Sequence, residues 1–341
     1  MGLFILRRLG VMLLTALCLT FIVFWLTNLY PNLEKLAKTQ GNFRMSDEAV
    51  TSYLTNRGYT QTLPVKYGQW LGVVPGWDIE GSDGEVRRRC PEGQTFCGVL
   101  QGNWGFSTVF KAEVSDIIAT RLGLTGKLMF WVIMVMVPGA LIIGVLAGMR
   151  EGSGTDRTLS TASIITTATP EYVSGVVFIA AFATPLFGMQ YFKGTATSAM
   201  DDANFINFFL PVITIALYGM GYIARMTPAS MPEVMTAQYI RTARLKGVKF
   251  RTIVLKHALR NALIAPFTVI MLQIPWLLNG VVIVETLFNY KGFGWTLVQA
   301  ASNNDIELLL AVSVVSVFVV LLTQLISDIG YVFLNPRIRI S

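Results

Sequence analysis

Six stretches of this chain, at about 9–30, 128–149, 162–187, 206–226, 262–288 and 308–334, are apolar enough and long enough to cross a bilayer, which takes about 20 residues of helix. Lipid offers no hydrogen bonds to the backbone, so only helices and closed barrels cross it, and these runs are far too long for barrel strands. The first run follows Arg7-Arg8, carries Phe21 and Trp25 and is not followed by a small-residue cleavage site, so it reads as a retained span. The second contains Pro138. The third is the most polar, with Thr166, Thr167, Thr169, Pro170 and Glu171 in its first half, residues tolerated where they face a bundle interior or a cavity. Composition agrees: 53% of the 341 residues are hydrophobic and 14% charged, against about 25% charged in soluble domains. That balance excludes a soluble globular, a disordered or a disulfide-scaffold protein. The expected class is an all-α polytopic membrane protein with six transmembrane helices and a large loop domain between helices 1 and 2.

The net charge of +7 is read by where the basic residues fall. One side of the six spans holds Arg7, Arg8, Arg150, Arg157, Arg225, the seven from Arg241 to Arg260, Arg337 and Arg339, fourteen in all. The short loops of the other side hold Lys193 and Lys291, and the remaining eleven lie in the long segment from Pro31 to Lys127, which the positive-inside rule does not count. Fourteen against two predicts a multi-pass protein with both termini cytoplasmic and the 31–127 segment extracytoplasmic, which is periplasmic in a Gram-negative bacterium. Cys18 falls within the first span, where a small buried apolar role is expected. Cys90 and Cys97 fall in the external segment, where an oxidising compartment favours a disulfide. With one histidine in the chain, no third and fourth ligand completes a metal site near them, and no cofactor is expected.

The external segment divides into a partly helical part from Ser46 to Leu71, a turn-rich part from Gly72 to Gly102, and an amphipathic helix near 111–123. Its stripe of Val114, Ile117, Ile118 and Leu122 is compatible with a helix lying at the interface or with a gate or docking element for an external partner. The cytoplasmic loop at 227–261 is the most informative. A short helix is predicted from Thr236 to Lys246, with Tyr239, Ile240 and Ala243 on one face, ended by Gly247 in the left-handed conformation. A second helix, with Phe250, Ile253 and Val254 on one side, leads into the fifth span. Basic loops at this surface set topology and meet anionic membrane lipid. Charges this close to the spans make nucleic acid a poor partner. A compact helix-Gly-helix unit with its own apolar face is more than topology needs, and it suits a groove on a soluble partner, with arginines pairing to acidic residues.

The run Tyr239-Ile-Arg-Thr-Ala-Arg-Leu-Lys-Gly, followed by His257-Ala-Leu-Arg-Asn-Ala-Leu-Ile, closely resembles the coupling loop of ABC importer permeases, specifically the first of two permeases in the dipeptide/oligopeptide/nickel importer family. Phe4-Ile-Leu-Arg-Arg-Leu, Gly102-Asn-Trp-Gly-Phe-Ser, Val284-Glu-Thr-Leu-Phe with Gly292-Phe-Gly, Asp328-Ile-Gly-Tyr and Asn335-Pro-Arg-Ile-Arg match further family elements in order along almost the whole chain. There are departures. Arg241-Thr242-Ala243 stands where importers in general have Glu-Ala-Ala, Asn335 replaces a common Asp, Gly-Asp-Pro is missing around Pro31-Asn32, and 72–102 resembles an insertion. The resemblance implies a type I ABC importer permease fold: a five-helix core at 128–334 behind the N-terminal helix (1–30) and the external domain (31–127), with a cytoplasmic tail at 335–341. It also implies a second homologous permease subunit, two ATPase subunits or a fused pair, and an extracytoplasmic solute-binding protein that delivers a peptide-like solute. Tyr239, Ile240, Arg241, Ala243, Arg244, Lys246 and Gly247 would then couple the chain to the ATPase. The chain contains no Gly-x-x-x-x-Gly-Lys-Ser/Thr, so ATP hydrolysis is assigned to the partners and no catalytic residue, His257 included, is expected here.

Glu171, Glu285 and Asp328 fall within or at the ends of spans, where carboxylates are candidates for a translocation path or for structural pairing. Two rival functions remain open from the residues alone. An ion-coupled secondary carrier would show two repeated halves, which this chain lacks. A non-transporting assembly protein would have no use for the long basic loop.

Overall fold

The computed structural model describes residues 2–80, 86–149, 151–185, 190–258, 262 and 264–334. The 335–341 tail with Asn335, Arg337 and Arg339, together with Arg150, Arg260 and the His257 side chain, lies outside what is described. The chain forms two compact units, one of Met1–Gly123 with Thr296–Leu321 and one of Leu124–Trp295 with Leu322–Ser341.

In the first unit, α1 (Gly2–Thr27) is followed by α2 (Tyr30–Gln40), α3 (Asp47–Thr55) and α4 (Leu63–Leu71). Local signals set their ends. Pro31 occupies the first turn of α2, Ser46 accepts from Ala49 N at 3.3 Å to cap α3, and Gly72 closes α4 at φ 87°. Their apolar faces meet in a core of Phe24, Leu36, Val50, Leu54 and Trp70, joined by Ile306, Leu310 and Val314. Tyr67 sits against Phe24, with ring centroids 5.3 Å apart, and shares a 2.7 Å hydrogen bond with Thr20. The turn-rich segment is not irregular throughout: β1 (Asp78–Glu80) and β2 (Val86–Arg88) pair antiparallel, with Ile79 opposite Arg87. A disulfide joins Cys90 to Cys97 just beyond β2. A second hairpin pairs β3 (Phe106–Ser107) with β4 (Ala112–Glu113).

The stripe expected as a separate helix near 111–123 opens α5 (Val114–Gly148), a single helix of 35 residues. At about 1.5 Å per residue such a helix is roughly 52 Å long, well beyond an apolar core of about 30 Å, so its amphipathic first turns extend the helix past the apolar span instead of forming a separate element. Val114, Ile117 and Ile118 are buried.

In the second unit α5 continues beside α6 (Gly154–Ala168), α7 (Glu171–Phe178, extended by a π-helical turn at Ile179–Ala183), α8 (Phe205–Met235), α9 (Gln238–Leu245), α10 (Phe250–Thr252, extended by a π-helical stretch Ile253–Ala258), α11 (Ile264–Leu287) and α12 (Phe293–Ser302). The last helix, α13 (Ile306–Leu334), ends in this unit. Leu128, Val132, Met136 and Ala140 recur every four residues on α5 and are buried against α8 and α11 residues, among them Ile215, Ile223, Leu277 and Val281. Helices α5 and α8 approach closely through two reciprocal contacts. A Cβ on Gly139 would lie 2.8 Å from Met220 Sδ, and one on Gly219 would lie 2.1 Å from Met136 Sδ.

The third apolar run is not one straight span. Helix α6 starts earlier than expected, capped by Ser153, and meets α7 at a 103° bend. Thr169 is extended, at φ −92° and ψ 118°, and Pro170 follows. A residue before proline avoids the helical region and proline supplies no N–H, so the helix breaks at this pair. Among the described residues, four helices, α1, α5, α8 and α13, contain spans long and apolar enough to cross a membrane, and the bent pair makes up to five.

Candidate functional site

The helix–turn–helix loop is built on α9. Its first turn is closed by Ile240 N and Arg241 N donating to Ala237 O, at 3.0 and 3.2 Å. At its other end Gly247 N donates to Arg244 O at 3.0 Å and Val248 N to Ala243 O at 3.2 Å, with Gly247 at φ 70°. That pair of bonds around a left-handed residue is a Schellman closure, which turns the chain sharply back. Val248 folds onto the same apolar cluster as Ala243.

The seven residues of the predicted coupling set divide by exposure. Ile240 and Ala243 are buried with Ile253, Val254, Ala258 and Ala262, and Val145 and Met149 from the end of α5 pack on that cluster. Arg241, Arg244, Lys246 and Gly247 are exposed. Tyr239 does not share the buried face, because the helical step of about 100° between neighbours carries it round to the open side, where it is 42% exposed. Phe250 likewise parts from Ile253 and Val254. It is exposed while they are buried, as α10 passes into a π-helical stretch. The outward face is therefore basic and apolar together, with Tyr239, Leu245 and Phe250 beside the arginines.

The three carboxylates have separate surroundings. Glu285 is fully buried at the end of α11. It accepts a hydrogen bond from Thr125 Oγ1 and another from Trp295 N at 2.9 Å, which caps α12, while Phe293 N donates to Thr125 Oγ1 at 2.8 Å. Gly292 makes room for the carboxylate, since a Cβ there would lie 2.2 Å from Glu285 Oε1. Nearby Tyr290 donates to Leu124 O at 2.9 Å, and burial first, then Glu285, holds its phenol well above the ordinary value. The Val284-Glu-Thr-Leu-Phe and Gly292-Phe-Gly strings are thus one polar knot, and Thr125, which sequence reasoning missed, completes it. Asp328 is half-buried on α13 and has a partner. Glu171, in the first turn of α7, differs from both. It is 8% exposed, its Oε1 is buried without a hydrogen-bond partner, and Gly280 of α11 lies beside it.

Long apolar helices packed through small residues, with one helix pair sharply bent beside a buried carboxylate, define a multi-pass membrane protein that carries a short basic helix on an apolar cluster. The chain belongs to the family of inner membrane components of binding-protein-dependent transport systems, whose pattern matches residues 140–340. A probable peptide ABC transporter permease of Sinorhizobium fredii is 30% identical over 339 residues, covering 99% of this chain and 100% of that protein. The di/tripeptide transport system permease of Pseudomonas aeruginosa is 30% identical over 359 residues, covering 98% of each. The oligopeptide transport system permease of Bacillus subtilis is 32% identical over 247 residues, covering 71% of this chain and 77% of that protein. This chain is an ABC importer permease subunit of the inner membrane.

Proposed function

We propose that the chain is one of two homologous permease subunits of an ATP-driven importer of peptide-like solutes, working with two ATPase subunits and an extracytoplasmic solute-binding protein. The peptide names of its relatives support the cargo class. Six spans are assigned to α1, α5, the bent α6–α7 pair, α8, α11 and α13. The charge count puts both termini in the cytoplasm and 31–127 outside, and the Cys90–Cys97 disulfide favours the same sidedness.

The observation that carries the mechanism is the division of α9 into a buried and a basic face. Its outward side offers Tyr239, Arg241, Arg244 and Lys246 to an acidic groove of an ATPase, while Ile240 and Ala243 tie it to the end of α5 and to the stretch leading into α11. A push on α9 then reaches two spans at once, which is what alternating access driven from the cytoplasm requires. In the Arg241→Glu, Arg244→Glu double variant, uptake by whole cells should fall by about tenfold or more while the ATPase subunits keep basal hydrolysis. Normal uptake by a correctly inserted double variant would rule out α9 as the coupling element.

A further inference from the structure

The first unit holds two adjoining cavities, of about 310 and 440 Å3, which share Arg57, Tyr59, Trp77, Arg89, Ile306 and Glu307 as walls. These volumes fall at the low end of small-ligand sites, about 300–1,000 Å3. Most charges around them already have work. Arg57 stacks on Tyr53 at 3.8 Å, and Lys66 donates to Asn28 Oδ1 and Tyr59 O at 3.3 and 3.1 Å. Arg88 pairs with Glu92 at 3.0 Å, Arg87 is engaged, and Asp305 accepts from Ser107 Oγ at 2.6 Å and caps α13 through Leu308 N. Two charges are left. Arg89 Nε is buried without a partner, and Glu307 forms no ion pair with it or with any other cation among the described residues. Gly105 (φ 89°) leaves room for the carboxylate, since a Cβ there would lie 2.5 Å from Glu307 Oε2, and the backbone of Arg89 is fixed by its N–H donating to Trp77 O at 3.0 Å beside the Cys90–Cys97 bridge. Gly58 (φ 73°) similarly leaves room for the Trp77 indole, 2.6 Å from where its Cβ would lie. Trp70, 3% exposed, adds a buried Nε1 with no acceptor to the wall of the smaller cavity.

A cation and an anion facing one cavity without closing on each other, between aromatic walls, match a molecule that carries the opposite pair at its two ends. We propose that this cavity binds a small zwitterion of dipeptide size, its free carboxylate on Arg89 and its free ammonium on Glu307, with Tyr59 and Trp77 flanking the chain between them. The site lies entirely within the first unit, and its key residues Trp77 and Arg89 come from the 72–102 insertion, which thereby gains a role. Its placement on the outer face rests on the orientation proposed above, whereas its chemistry does not.

The test uses the purified, full permease complex in nanodiscs, without binding protein or nucleotide, so that it does not depend on transport or on α9. L-Alanyl-L-alanine, followed by calorimetry and tryptophan fluorescence, should bind saturably, and N-acetylated and C-amidated forms should each bind about tenfold or more weakly. Glu307→Gln should lose the preference for a free amine over the N-acetyl form yet keep the preference for a free carboxylate, and Arg89→Met should do the reverse. That crossed pattern also separates a lost contact from a misfolded cap. No saturable binding to the wild type up to about 10 mM would overturn the proposal. So would equal binding of the blocked forms, or inorganic phosphate displacing the dipeptide as effectively as a second dipeptide does.

Discussion

At the residue scale, Gly247 is the clearest case of local chemistry deciding a turn. Nothing lies within 4 Å of where its Cβ would be, so its φ of 70° is the whole constraint. Gly247→Ala should therefore destabilise the closure by about 1 kcal/mol through backbone strain alone. Uptake should fall moderately, and Gly247→Asn should restore most of it, measured at equal expression. Glu285 is the opposite case. Its partner Thr125 is 160 residues away, and nothing local in the sequence announces the pair. Glu285→Ala leaves Trp295 N and Thr125 without their acceptor and should cost about 3 kcal/mol, read as a lowered melting temperature, with Glu285→Gln milder. Glu171 has no such duty among the described residues. Glu171→Gln should leave the melting temperature unchanged while altering the uptake rate, and an unchanged rate would exclude a part for this carboxylate in the path.

At the element scale, the end of α9 was read from the sequence because Gly247 acts within a few residues, whereas the Ser46 cap of α3 and the Ser153 cap of α6 went unread and α6 starts before the apolar run that marked it. The break between α6 and α7 was half-readable. Pro170 marks it, but a 103° bend and not a gentle kink depends on what the two halves pack against. Tyr239 shows the limit of pattern reading. The residues of α9 offer more than one apolar flank, and only the cluster from α5 and the π-helical stretch selects Ile240 and Ala243 for burial. Packing between α5 and α8 gives an element-scale test. Gly219→Val should overpack against Met136 and lower stability by about 1–3 kcal/mol. Combined with Met136→Ala, the loss should be smaller than the sum of the two single losses, a coupling a double-mutant cycle measures.

At the scale of the whole molecule, the disulfide closes only seven residues of separation, yet it fixes the segment that carries Arg89. Cys90→Ser with Cys97→Ser should destabilise the first unit by about 2–3 kcal/mol on the loop-entropy estimate. Cys90 and Cys97 of the wild type should resist alkylation until reduced, checked by mass shift, whereas Cys18 is a free thiol throughout. What the sequence by itself determined was the class of protein: the apolar runs, the side bias of Lys and Arg, and the local turns of the 227–261 loop. These are properties of single segments in contact with lipid or water, so they need no knowledge of neighbours. Only the tertiary structure decided that 296–321 returns to the first unit, that Glu285 binds Thr125, and that Arg89 and Glu307 face one cavity. Those pairings join residues far apart in the chain, and their energy comes from burying charge and shape together, which no periodicity within one segment encodes.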